Sequence, residues 1–237
     1  MVRALRLFAA LIMVTVTVAC TTTQTRVAKF LPERPAAGSG ILVIKPDIEL
    51  SLLTASGLQE PNMQWSREAL ANIETSLAAT LQGRQHRFIA FDADTIVSGR
   101  TNQILRLHDA VANSIISLNY GFLRLPTKSA ADFDWTLGPG AIELARSAAA
   151  RTDAKYALIT FGRGSYSSGG RWAMAIAGAA LGASVPLGGQ QIYASLVELS
   201  TGKIVWFNIA TAGPQDDMRK PEGAQGLITT LMKDVPL

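Results

Sequence analysis

The sequence predicts one α/β domain over residues 41–237: a two- or three-layer sandwich with helices packed on a mixed sheet and a carboxy-proximal β-hairpin. Three observations carry that expectation. Short apolar runs of strand length alternate with amphipathic helical segments, the order that builds helices onto a shared sheet. Two strand-like runs flank Ser200-Thr-Gly-Lys203, the residue chemistry of a tight hairpin turn. The chain is 48% hydrophobic and only 17% charged, enough to bury a sheet and to leave some exposed or self-associating apolar surface.

Ile41-Leu-Val-Ile44 is a continuous apolar run between Gly-Ser-Gly and Lys45-Pro46, the pattern of a buried strand that Pro46 ends or interrupts. Ile48 to Leu53 alternates apolar and polar residues and continues it or forms a second strand. Thr54 to Trp65 reads as a loop. Ser66 is the expected N-cap of a helix whose Leu70, Ile73, Leu77 and Leu81 recur at three- and four-residue steps, with Glu68 in the first turn and Gly83 as the stop. Arg87–Phe91 is a strand. Thr101–Tyr120 is a second helix, with Ile104, Leu107, Val111, Ile115 and Leu118 on its core face. Phe122–Asp134 is irregular, and Gly138–Ala150 an Ala-rich helix. Lys155–Phe161 is a strong strand, followed by a Gly/Ser loop from Gly162 to Gly170. Trp172–Leu187 is apolar and built from small residues. Gln190–Leu199 and Ile204–Ile209 form the hairpin, with Gly202 free to take positive φ, and Pro221–Lys233 is a closing helix.

Ahead of this domain, Met1–Cys20 has the composition of an export signal. Arg3 and Arg6 precede an uncharged run from Leu7 to Val18. A helix of that length is too short for a hydrocarbon core of about 30 Å, so a cleaved signal fits better than a membrane span. Ala19-Cys20 then resembles the bacterial lipobox, with the family's preferred Leu replaced by Thr17. The resemblance implies cleavage after residue 19 and a lipid on Cys20, the sole cysteine. An ordinary signal or an uncleaved anchor is the alternative. Residues 20–40, rich in Thr, Pro, Ala and Gly, read as a flexible lipidated tether, with Phe30 and Leu31 able to pack on the domain.

Charge and chemistry exclude several function classes. The formal charge of +4 includes Arg3 and Arg6, and no Lys/Arg cluster is present to track phosphates, so no nucleic-acid partner is expected. A single cysteine permits no internal disulfide. Gly162-Arg-Gly-Ser-Tyr-Ser-Ser-Gly-Gly-Arg171 is neither a dinucleotide fingerprint nor a Walker loop. Arg163, Gly164 and Arg171 are nonetheless candidates for holding an anion, against a plain connecting loop. Asp92 and Asp94, past the Arg87–Phe91 strand, could meet a cation, but no third ligand is placed beside them. Ser200 and Lys203 have Ser-x-x-Lys spacing in a turn, where no helix start presents the serine. His86 and His108 lack nameable partners, so neither a triad nor a metal site is expected, and no cofactor is. Gly178 and Gly182 have the spacing that lets helices approach closely, which makes Trp172–Leu187 a candidate for self-association or membrane contact, against a helix buried on the sheet.

From Tyr156 on, YALITFGRGSYSSGG, an Ala/Gly-rich run, GGQQIYASLVELSTGKIVWFN and a terminal helix together resemble a group of proteobacterial envelope lipoproteins. The hairpin with its Thr-Gly turn and Trp206 is also similar to the periplasmic α/β domains of the curli-secretion lipoprotein and of the lipoprotein activator of penicillin-binding proteins, which share a fold like the amino-terminal domain of TolB. That resemblance implies a non-enzymatic protein of the cell envelope. Thr21 after the cysteine, in place of the Asp that retains lipoproteins at the inner membrane, implies the periplasmic face of the outer membrane. The expected function is therefore binding or scaffolding in envelope assembly, with the membrane and an envelope protein or a second copy as partners. An oligomeric secretion channel and an anion-binding enzyme using residues 162–171 are the alternatives. The chain departs from the curli pore in lacking long alternating membrane hairpins.

Overall fold

The computed structural model describes residues 21–28, 34–95, 99–121, 123–129, 131–148, 154–213 and 215–237. The signal segment, Cys20, Phe30 and Leu31 lie outside the described residues, as does the side chain of Asp94.

The fold is mixed α/β. Its strands are β1 (Thr22–Val27), β2 (Gly40–Ile44), β3 (Asp47–Leu53), β4 (Gln59–Pro61), β5 (Arg87–Phe91), β6 (Trp135–Thr136), β7 (Tyr156–Ser167), β8 (Gln190–Glu198) and β9 (Lys203–Thr211). The helices are α1 (Met63–Gly83), α2 (Gly99–Ile115), α3 (Ile142–Ser147), α4 (Gly169–Ala180) and α5 (Pro221–Leu231). Among the described residues all nine strands join one sheet, whose main path is β1-β9-β8-β7-β2-β5, with β3 on β7, β4 on β3 and β6 on β9. β3 continues the line of β2 beside β7, with Lys45-Pro46 as the break between them. β2, β3, β5 and β7 run parallel, while β8, β9 and β1 are added antiparallel.

Helices cover both faces. On one, α1 and α5 bury Ile73, Leu77, Leu81, Leu227 and Leu231 against Ile41, Val43, Leu158, Leu196 and Trp206. On the other, α2 and α3 bury Ile104, Ile115 and Leu144 against Leu42, Ile44, Ile159, Phe161 and Phe207. The alternation of strand side chains supplies both cores from one sheet, so a continuous apolar run such as Ile41–Ile44 is buried on both sides. The hairpin of β8 and β9 turns through Gly202 at φ 74°, as expected, and α5 opens with Pro221 in its first turn.

Several expectations are corrected. Thr22–Val27 is an edge strand paired with β9, so this part of the expected tether belongs to the sheet. Its polar TTQTRV has no buried residue, which is why hydropathy did not mark it. α1 starts at Met63, capped by Asn62, whose Oδ1 accepts from the Trp65 amide at 3.0 Å. Ser66 is inside the helix: its hydroxyl donates to the Asn62 carbonyl and accepts from the Leu50 amide, and Glu68 falls outside the first turn. Within the expected 54–65 loop, β4 folds back on β3. The helix expected over 101–120 is α2 followed by a π-helical turn, Ile116–Tyr120. Its buried face is Thr101, Ile104, His108, Ala112 and Ile115, with Leu107 exposed. The helix expected over 138–150 is reduced to a 3₁₀ turn, Pro139–Ala141, and the short α3.

Candidate functional site

β7 does not end at Phe161. It runs on to Ser167, so residues 162–167 of the expected Gly/Ser loop are strand, paired with β3 along their whole length and with β8 as far as Gly164, while Ser168 and Gly169–Gly170 begin the next helix. The glycines are explained by packing: a Cβ on Gly162 would lie 2.7 Å from Ile48 Cδ1, and one on Gly164 2.9 Å from Leu50 Cδ2. Extended backbone sends its amides sideways into neighbouring strands. They cannot converge on an anion as a phosphate-binding turn requires. Arg163 is already neutralised, with Nη2 2.6 Å from Asp47 Oδ2 and Nε 3.3 Å from Glu49 Oε2. Arg171 is held elsewhere, donating from Nε to the Pro186 carbonyl and from Nη1 to the Ala55 carbonyl. The expected anion site of Arg163, Gly164 and Arg171 is therefore not assembled.

The remaining candidates separate. Asp92 is paired with Lys45 at 2.8 Å, and among the described residues no group of three or more His, Cys, Asp or Glu gathers to hold a metal. Ser200 donates to Glu198 Oε1 within the hairpin turn. His86 is buried, with Nδ1 3.3 Å from Ser39 Oγ. His108, which sequence spacing placed beside the core face, lies inside the core. Its Nε2 is 2.5 Å from Ser195 Oγ and its ring stacks on Phe161. Burial pushes its pKa down to about 3, so the ring is neutral. The pair resembles a nucleophile with its base, but both residues are sealed from solvent and His108 Nδ1 has no partner to orient the ring. It is a core contact.

A second cluster that sequence reading missed sits where α5's leading loop meets β7. The Tyr166 hydroxyl lies 2.6 Å from Asp217 Oδ1 and 2.5 Å from Gln190 Oε1. Arg219 donates twice to the same carboxylate while its guanidinium covers the Tyr166 ring at 3.4 Å. Partial burial raises the Asp217 carboxyl, but its hydrogen bonds from Arg219 and Tyr166 outweigh that and hold it at about 2. These residues are up to 53 positions apart and share no spacing signal, as Tyr166 and Arg219 show.

What stands out is the connection between β7 and β8. Ser168 caps α4 by accepting from the Arg171 amide. α4 runs as a helix in which no residue is buried. It ends at Gly182, with φ 74° and the Ala183 amide bonded back to the Gly178 carbonyl, the geometry of a glycine-terminated helix. Residues 183–187 then return beside the helix. Gly178 meets this return: a Cβ there would lie 3.0 Å from Val185 Cγ2 and 3.3 Å from the Ala183 carbonyl oxygen. The two glycines singled out for helix–helix contact thus have intrachain roles. The arm closes where the Gly188 amide donates to Ser167 Oγ.

The arm is the largest run of exposed apolar side chains in the described chain. Trp172 is 51% exposed, Ile176 69% and Leu181 87%, joined by Met174 and Leu187. The expectation of a helix buried on the sheet is overturned, because the arm follows a strand that overshoots the helical layers. No charged residue occurs from Trp172 to Val197. At the arm's root, a groove of about 840 Å³ opens among β3, β4, β7 and β8, lined by Leu50, Gln59, Met63, Arg163 and Gln190.

No family model matches the chain, and no curated protein matches its sequence. Among solved structures, it is similar to the PelC dodecamer from Paraburkholderia phytofirmans, at 15% identity and a TM-score of 0.38, over 90% of this chain and 94% of that one. A point variant of the same dodecamer matches at 15% identity and a TM-score of 0.39, over 92% and 97%.

Proposed function

We propose that this chain is a lipid-anchored envelope protein that acts by binding and scaffolding at the periplasmic face of the outer membrane, without catalysis. The observation that supports this reading is the arm of residues 169–187. A helix and returning segment that carry no charge after Arg171 and hold five large apolar side chains in solvent form a surface that a partner must cover. The lipid would be carried by Cys20, and a scaffold of this kind needs no reactive side chain. The buried His108–Ser195 pair and the neutralised Arg163 are consistent with that.

Two measurements test the reading. Radiolabelled palmitate should enter the wild type and not Cys20→Ser; equal labelling of both, or of neither, removes the anchor. Crosslinking in the native envelope should recover a distinct partner. Recovery of the protein alone, as large detergent-stable rings that vanish when 172–187 are deleted, would replace scaffolding with an oligomeric channel.

A further inference from the structure

We propose that the arm Gly169–Leu187 lies in the interfacial layer of a lipid bilayer, as a second membrane contact beside Cys20. This rests on the anchored reading above and adds what the arm touches.

Sheet register brings the two features to one end of the molecule. Thr22 pairs with Thr211, Thr211 with Gln191, and Gln191 with Arg163, so β1 begins on the same row as Arg163 in β7. Three strand spacings separate them, about 14 Å. β1 runs from that row toward the far end of the sheet, so the chain leading to Cys20 leaves on the other side. Cys20 is two residues before Thr22, a reach of at most about 7 Å. β7 climbs the same way from Arg163 to Ser167, about 13 Å, and delivers the arm. The β3–β4 turn, level with Ser167 through the pairing of Leu53, adds exposed Leu58 at this end. A lipid on Cys20 therefore holds the arm's end of the sheet toward the membrane with almost no slack.

The chemistry of the arm fits that position. Its helix of 12 residues is about 18 Å long, and no described helix is long and apolar enough to cross a membrane. The length suits lying in the interface, where a short helix with an apolar surface sinks about 5–10 Å. Trp172 stands in the first turn, the side chain whose apolar ring and N–H suit the headgroup boundary. A second copy fits less well as the occupant, because Gly178, the residue that would let another helix come close, already faces Val185 of the arm's own returning segment.

The test uses the full lipidated protein reconstituted in phosphatidylethanolamine–phosphatidylglycerol vesicles with brominated acyl chains, reading tryptophan quenching on floated vesicles. Trp206 is fully buried and Trp65 and Trp135 are partly so, which leaves Trp172 as the lipid-facing indole. Quenching is expected in the wild type and should fall at least twofold in Trp172→Phe. Ile176→Glu should reduce it at unchanged circular dichroism and melting temperature, since α4 buries nothing. Flotation with no quenching, or with quenching equal in Trp172→Phe, overturns the arm while leaving the anchor intact. Arm-to-arm crosslinks from an Ala179→Cys variant, with Trp172 unquenched, assign the surface to a second copy and overturn it too. Failure to float defeats arm and anchor together.

Discussion

His108 on α2 and Ser195 on β8 share a short hydrogen bond, 2.5 Å between Nε2 and Oγ, inside the core between helix and sheet. The contact fixes the rotation of α2: it sets His108, rather than Leu107, against the sheet. The cost is a buried neutral imidazole whose Nδ1 has no hydrogen-bond partner.

Acid should expose that cost. Burial holds the His108 pKa at about 3 against an ordinary 6.5, so the unfolded chain binds the proton and the folded chain does not. The stability lost as pH falls from 6.5 toward 3 should approach about 1.4 kcal/mol per pH unit from this group. Urea melts between pH 7.5 and 4.5 should show the slope, and His108→Gln should flatten it. An unchanged slope would mean that His108 is protonated in the fold.

Tyr166→Phe removes the hydroxyl that bridges Gln190 and Asp217 and leaves the ring against Trp65 and Arg219. A loss of about 1–2 kcal/mol is expected in denaturant unfolding. Asp217→Asn should cost at least as much at pH 7. Because the carboxylate is held at about 2, its stabilisation is complete above the ordinary carboxylate range and fades as pH falls through about 2; the Asn variant should lack that step.

Gly202→Ala should destabilise severely. The residue is at φ 74°, and a Cβ would stand 2.0 Å from the Gly138 carbonyl oxygen, against backbone that cannot swing aside. A loss above about 2 kcal/mol is expected. Gly38, also at positive φ but with open space around it, should lose only about 1 kcal/mol on the same change. Equal melting temperatures for the two variants would contradict this.

Arg163→Ala should cost about 1 kcal/mol or less, since its ion pairs with Asp47 and Glu49 are largely exposed to solvent. Titration with inorganic phosphate should show no difference between the variant and the wild type. Phosphate binding lost in the variant would restore the anion-site reading.

Much of the fold was legible before any coordinates. The β8–β9 hairpin, the Ile73–Leu77–Leu81 stripe of α1 and the buried Ile41–Ile44 strand each depend on local spacing and turn chemistry, which act over a few residues. The candidate arm was legible too, as a long uncharged run with two glycines. Its exposure was not, because nothing local tells whether an apolar helix lies under a sheet or beyond it.

The sequence by itself determined the mixed α/β class, the strand–helix order, the turn at Gly202 and the apolar, uncharged character of residues 172–187. Only tertiary structure decided the rest. β1 is a strand because β9 offers it an edge, and Gly162-Arg-Gly164 is strand rather than loop because Ile48 and Leu50 fill the space above the glycines. His108 faces the core because Ser195 and Phe161 wait there. In each case the deciding contact comes from a partner dozens of residues away, where local hydropathy carries no record of it.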